Sequence, residues 1–318
     1  MPSIPEELLN AIRSRSVLPA PPPVCALADG IRATYGEALQ AILFYGSCLR
    51  TGDDRGGMVD LYVIVGRYRD AYRSSWWAAL NRLLPPNVFY LEIPFEGRTV
   101  RAKYAVLSMA DLERGASPAW FHSYIWGRFA QPTVLLYASG PVVAERVCAA
   151  LCQAVLTFIG RVIPRLPAEF GVEDLWRRGL TLSYRTEFRA ERPEKMIALF
   201  RSAPDHYVRI TDAALPALPI PVEIVEGGSG RLYRARVSVA SQLACRLAWK
   251  IRLLQGKALT VLRLFKGAFT FTGGLEYILW KIERHTGVTV EVPARLKPHP
   301  ILAVCVLSWR LYRRGAFR

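Results

Sequence analysis

Phe44-Tyr45-Gly46-Ser47, then twelve residues, then Val59-Asp60-Leu61-Tyr62-Val63 is the stretch on which the fold turns. The apolar run Ala41 to Tyr45 reads as a strand closed by Gly46 and Ser47. Val59 to Val65 reads as a second, β-branched strand ended by Gly66. A small-residue turn after a strand lets backbone amides approach phosphates closely, and the Ser47 hydroxyl adds a donor. A carboxylate on the neighbouring strand, Asp60, can hold Mg2+ against the same phosphates. Taken alone, the spacing also fits a plain turn beside an edge-strand aspartate.

Working outward, Asn87 to Ile93 and Thr99 to Leu107 look like third and fourth strands, with Glu96-Gly97 turning between them. Asp70 to Leu84 reads as a helix, as does Ile4 to Arg15, which a Pro-rich spacer (Leu18 to Pro23) follows. From Val142 to about Arg201 the pattern is helical, broken at Pro164 and Pro167. A Pro-rich connector (Ala214 to Pro221) and a Gly-Gly-Ser-Gly turn at 227–230 lead into a helical, basic last segment. The expected class is α+β, in three regions: 1–140, 141–230 and 231–318.

Hydrophobic residues at 52% and charged residues at 21% of 318 exclude a disordered chain. The formal charge is +16, and 17 Lys/Arg against 3 acids between Arg231 and Arg318 supply a surplus of 14 of it. Such a field attracts polyanions: nucleotide phosphates, an anionic membrane face or nucleic acid. No recognised nucleic-acid motif accompanies it, so no nucleic-acid partner is expected. The six cysteines are scattered, which suits a reduced, cytosolic chain. The N-terminus MPSIPEELLN does not read as a secretory signal. The longest uncharged apolar run, Val147 to Ile159, falls short of the roughly 20 residues that span a bilayer. A cytoplasmic protein, peripheral on the inner face of a membrane, is expected.

The Gly-Ser turn and Asp60 resemble the pattern of the polymerase β-like nucleotidyltransferase superfamily, with Tyr62 at the second acid position. Further segments, in order, resemble one family within it. Lys103-Tyr104-Ala105-Val106-Leu107-Ser108 with Asp111-Leu112 is similar to K-Y-G-V-h-S-x-x-D-L. Gly127-Arg128-Phe129-Ala130-Gln131-Pro132 is similar to G-R-L-Q-K-P, and Leu182-Ser183-Tyr184-Arg185-Thr186-Glu187-Phe188-Arg189 to L-S-Y-x-G-D-h-R. Leu264 to Thr270, with Tyr277 and Lys281, is similar to L-K-G-h-x-T-A-G…Y…K. The family is the mitochondrial translocator assembly and maintenance protein, a phosphatidate cytidylyltransferase, of which this chain resembles a bacterial-type relative. The chain departs from it at Ala105, at Glu187, and in Tyr68 to Pro86, where a Trp-His segment is missing.

The resemblance implies a nucleotidyltransferase domain followed by a helical, winged-helix-like domain, and conversion of CTP and phosphatidate to CDP-diacylglycerol and pyrophosphate with Mg2+. The partners are then CTP, phosphatidate or a related anionic phospholipid, and an anionic membrane surface. Gly46 and Ser47 are assigned to the CTP phosphates, Asp60 to the metal and catalysis, and Glu92 to a second metal contact. Lys103 is assigned to a phosphate contact in catalysis, and Glu187 stands in the place of a catalytic Asp. Arg128, Arg189 and Lys195 are further candidates for the nucleotide phosphates. Apolar residues such as Trp249, Leu253, Leu254 and Leu262 interleave with Arg246, Lys250, Arg252 and Lys257, the composition of a helix lying in a headgroup layer. Ile301 to Phe317 repeats that style. Transfer to RNA, protein or a small molecule stays open, as does a non-catalytic lipid-binding relative, which Tyr62 suggests.

Overall fold

The structure, a computed structural model, describes residues 3–53, 57–187, 193–227 and 230–270. Arg189, Tyr277, Lys281 and the second basic block, 301–317, lie outside the described residues.

The chain opens with α1 (Glu6–Ser16) and α2 (Pro22–Tyr35), then β1 (Leu39–Tyr45), α3 (Ser47–Thr51) and β2 (Val59–Val65). The last two prolines of the expected spacer, Pro22 and Pro23, instead open the first turn of α2, where a missing N–H costs nothing. Behind them Val24, Leu27, Ala28, Ile31 and Tyr35 are buried at helical spacing. Next come α4 (Tyr68–Ala71) and α5 (Ser75–Leu83), two pieces where one helix was expected, then β3 (Asn87–Phe95) and β4 (Arg98–Ser108). Glu96 and Gly97 join β3 to β4 with φ of 46° and 75°, the positive pair that matches the twist of a two-residue hairpin. After α6 (Met109–Ala116) and α7 (Trp126–Phe129), β5 (Val134–Ala138) completes a sheet of order β3-β4-β2-β1-β5. Of its four pairings, β2 with β4 is parallel and the other three are antiparallel.

Alternation along these strands sorts side chains onto two faces. Ile42, Phe44, Leu61, Val63, Ala102 and Val106 lie in one apolar cluster, against Val24, Leu27 and Ile31 of α2. Leu43, Tyr62, Ile64, Ala105 and Leu107 lie in the other, which continues through the helical second half of the chain. That half comprises α8 (Pro141–Val162), β6 (Glu169–Gly171), α9 (Val172–Arg185), α10 (Pro193–Arg201), α11 (Pro204–Ala214), the hairpin β7 (Val222–Gly227) with β8 (Gly230–Ala235), and α12 (Val239–Thr270). The hairpin closes at the expected Gly-rich turn, with Gly227 opposite Gly230, and forms a small sheet of order β6-β8-β7.

Helix α8 with its short extension, Pro141–Arg165, is long and apolar enough to cross a membrane, yet 67% of its most apolar window is buried within the protein. Val155, Phe158, Ile159 and Val162 are completely buried, and the Phe158 ring stacks on Trp176 at 4.7 Å. Each such side chain contributes about 1.5–3 kcal/mol by leaving water, so the apolar run is accounted for as core. The long α12 is docked by its cations: Arg252 donates to the Phe121 carbonyl, Arg263 to that of Pro85, and Lys266 to those of Leu84 and Pro86.

Candidate active site

Gly46 follows β1 directly and has a φ of +92°, a region closed to most side chains. A Cβ there would also stand 2.6 Å from Oδ2 of Asp60. The turn and the carboxylate therefore touch, because β1 and β2 pair Tyr45 with Asp60 and both point to the same face. The first residue of α3 is Ser47, and Arg50 stands one turn on.

These groups line a cleft of about 150 Å³. Gly46, Ser47, Arg50 and Asp60 form its sheet side, while Arg128 of α7 and Gln131 just after it, Tyr184 of α9 and Lys195 of α10 form the other. Sites for whole small molecules usually run from ~300 Å³ upward, so this volume suits the phosphate end of a ligand. Ala102–Leu112 places Lys103 beside Asp60, whereas Gly127–Pro132 and Leu182–Glu187 supply the opposite wall. Arg50, Gln131, Tyr184 and Tyr45 were not singled out from sequence. The spacing from Ser47 to Arg50 was a usable signal, but a five-residue helix has too little periodicity to reveal it.

Asp60 receives Lys103 across the parallel pairing of β2 with β4, with Nζ to Oδ1 at 3.2 Å. Lys103 thus balances Asp60, an arrangement the expected phosphate contact did not include. Position 62, where a second acid would stand, holds a fully buried tyrosine. Arg128 donates to its hydroxyl at 2.9 Å through Nη1 and to Glu187 at 2.6 Å through Nη2. The guanidinium also lies 4.4 Å from the centre of the Tyr124 ring.

Burial opposes charge on Arg128, but Glu187, then Tyr62 and Tyr124, outweigh it and hold its pKa well above the ordinary value. Burial likewise pushes the Tyr62 phenol well up, with Arg128 pulling the other way. The expected catalytic carboxylate at 187 is therefore the counter-ion of a buried guanidinium, not a group presented to the cleft. Arg128 forms part of the cleft wall, with one donor on Tyr62 and another on Glu187.

Glu92 does not join Asp60. It lies on β3, two strands from Asp60, or about 10 Å, opposite Arg101 in the pairing with β4. There it accepts from the Tyr90 hydroxyl at 2.9 Å and pairs with Arg101 at 3.4 Å. Among the described residues no group of three His, Cys, Asp or Glu could hold a metal unaided. A single carboxylate at the cleft does fit a Mg2+ that arrives on a nucleotide, since that ion takes one or two carboxylates and completes its shell with phosphates and water. The residues fit one such ion, with Asp60 as its protein ligand, and do not fit a carboxylate-bridged pair.

No family model matches the chain, and no curated protein does so. Among solved structures it is similar to a nucleotidyltransferase-like protein from Exiguobacterium sibiricum 255-15, with 11% identity over 92% of this chain and 91% of that one, at a TM-score of 0.27. Overlap that slight leaves the functional reading to rest on the cleft.

Proposed function

We propose that the chain is a nucleotidyltransferase that takes CTP, with one Mg2+, and passes its cytidylyl group to phosphatidate at a membrane surface. The observation that carries this reading is the meeting of the Gly46–Ser47 turn, the Asp60 carboxylate and the cations Arg50 and Lys195 in one cleft. Arg128, Gln131, Pro132 and Tyr184 in the cleft wall, and Lys103 beside Asp60, belong to three of the segments that carry the family resemblance. Their convergence from distant parts of the chain supports the reading beyond motif matching.

In the reaction a phosphate oxygen of phosphatidate attacks the α-phosphorus of CTP. The α–β bridging bond breaks and pyrophosphate leaves with its electron pair, giving CDP-diacylglycerol. The turn amides and the Ser47 hydroxyl hold the outgoing phosphates, and Arg50 and Lys195 offset the charge that develops there. Asp60 anchors the metal, which when bound supplies charge neutralisation across the phosphates. An acceptor that is already an anion needs no general base.

The membrane part of the reading draws on α12. Val239, Leu243, Leu247, Leu254 and Leu262 are exposed at helical spacing, Leu254 by 70% of its surface. Arg246, Lys250 and Lys257 run along one flank of that stripe, and basic residues near anionic lipid each contribute about 1 kcal/mol.

The test is incubation of the protein with Mg2+, α-labelled CTP and phosphatidate vesicles. Labelled liponucleotide and stoichiometric pyrophosphate are expected. No liponucleotide, together with turnover of another nucleotide on a soluble acceptor, would overturn it. Tyr62 favours a second reading, a lipid-binding protein without catalysis, which predicts that Asp60→Asn changes no activity because there is none.

A further inference from the structure

We infer that the acceptor's phosphate is received on the far side of Asp60 from the Gly46–Ser47 turn, by Lys103 and Arg101 of β4. This rests on the nucleotidyl-transfer reading above and gives it a direction.

At one level across the sheet, the register sets Tyr45 of β1, Asp60 of β2, Lys103 of β4 and Tyr90 of β3 side by side. Residues paired across neighbouring strands point to the same face, so all four look toward the cleft side. Strands lie about 4.8 Å apart, which puts the turn and Lys103 on opposite sides of Asp60. Arg101 is two residues before Lys103 on β4 and shares its face. Because β2 begins at Val59, opposite Ala102, Arg101 stands just past the end of β2, at the end of the sheet from which the Gly46 turn also emerges. The β3/β4 hairpin thus forms an arm beside the cleft. Lys103 and Arg101 are 30% and 33% exposed there, and Glu92 steadies Arg101 from the neighbouring strand.

In-line displacement requires attacking and leaving oxygens on opposite sides of the phosphorus. With the leaving pyrophosphate on the turn, beside Arg50 and Lys195, the acceptor arrives over β4. What it meets decides its chemical class. The carboxylates on this side are Asp60, paired with Lys103, and Glu92, paired with Arg101. The two described histidines, His122 and His206, lie off the sheet, before α7 and on α11. A hydroxyl acceptor would find its only nearby carboxylates already paired with cations, whereas a phosphate monoester comes deprotonated and can be bound by both cations. The position of Glu92, which did not fit a metal ligand, is explained as support for Arg101.

The test compares full-length wild type with Arg101→Gln, and with Arg98→Gln as a control on the same strand, using soluble short-chain phosphatidate. Arg101 and Glu92 form an exposed pair, so the Arg101→Gln chain should keep its melting temperature. The expected result is a 10- to 100-fold rise in KM for phosphatidate, with kcat and the Kd for Mg-CTP changed less than threefold and Arg98→Gln like wild type. Short-chain diacylglycerol, which offers a hydroxyl instead, should accept no cytidylyl group. An unchanged phosphatidate KM in Arg101→Gln, or product from diacylglycerol, would overturn the inference while leaving nucleotidyl transfer intact. Failure of wild type to bind Mg-CTP would remove both.

Discussion

The two faces of the five-stranded sheet are made by alternate residues of the same strands, yet they do different work. On the α2 side, Phe44, Leu61, Val63, Ala102 and Val106 are buried and apolar along their length. On the other, Leu43, Ile64 and Leu107 are equally apolar, but at the end where β1 exits the face turns polar: Tyr45, Asp60, Tyr62 and Lys103. One face holds the fold together while the end of the other is free to hold charge. A shift of one residue along β2 moves a side chain from one role to the other.

The sharpest way to break that comparison is to mutate neighbours. Asp60→Asn should lower nucleotidyl transfer by about a thousandfold, roughly 4 kcal/mol of barrier, while the melting temperature moves little. Leu61→Ala should do the reverse, costing about 2–5 kcal/mol in denaturant unfolding with the surviving folded fraction still active. Equal effects on stability from both substitutions would contradict the division of labour.

Arg128→Met should cost about 3–5 kcal/mol of stability, because it strands Glu187 in a largely buried site. Adding Glu187→Met should recover most of that loss, since an apolar pair is tolerated where a lone charge is not. Unfolding curves of the single and double variants check this. Tyr62→Phe removes one hydrogen bond to a charged donor and should cost about 1.5–3 kcal/mol, with activity reduced far less than by Asp60→Asn.

The smallest effect expected is one of pH. Burial, with Arg263 adding to it, lowers the pKa of His122 to about 3. Its folded pKa lies below the ordinary 6.5, so the stability it contributes is fully present above 6.5 and is lost as pH falls toward 3. The loss approaches about 1.4 kcal/mol per pH unit, and His122→Asn should flatten the curve over that window. His122 lies in the segment before α7 and not on α2, so variants confined to the α2 face should keep the acid response unchanged.

What could be read from the chain divides along the same line. Strands β1 to β4 carry apolar runs, β-branched in β2, each with a Gly at or near one end, and the bringing together of Gly46 with Asp60 follows from two adjacent strands. Helix α2 was missed because Pro21, Pro22 and Pro23 look like a linker until the helical spacing behind them is counted. Strand β5 was missed for its brevity, and β6, at three residues, carries no periodicity at all. The fate of Tyr62 and Glu187 depends on Arg128, a partner 66 residues from one and 59 from the other, which only packing could disclose. Glu92 alternates correctly in its strand, yet the register with Arg101 sets it beyond the reach of Asp60.

The most direct measurement is CTP binding by calorimetry, to wild type and Asp60→Asn, each with Mg2+ and with chelator. The account predicts strong binding for wild type with Mg2+ and a drop of tenfold or more in each of the other three samples. Equal affinity in all four would mean that the aspartate at position 60 holds no cation beside the phosphates, and the central claim would be wrong.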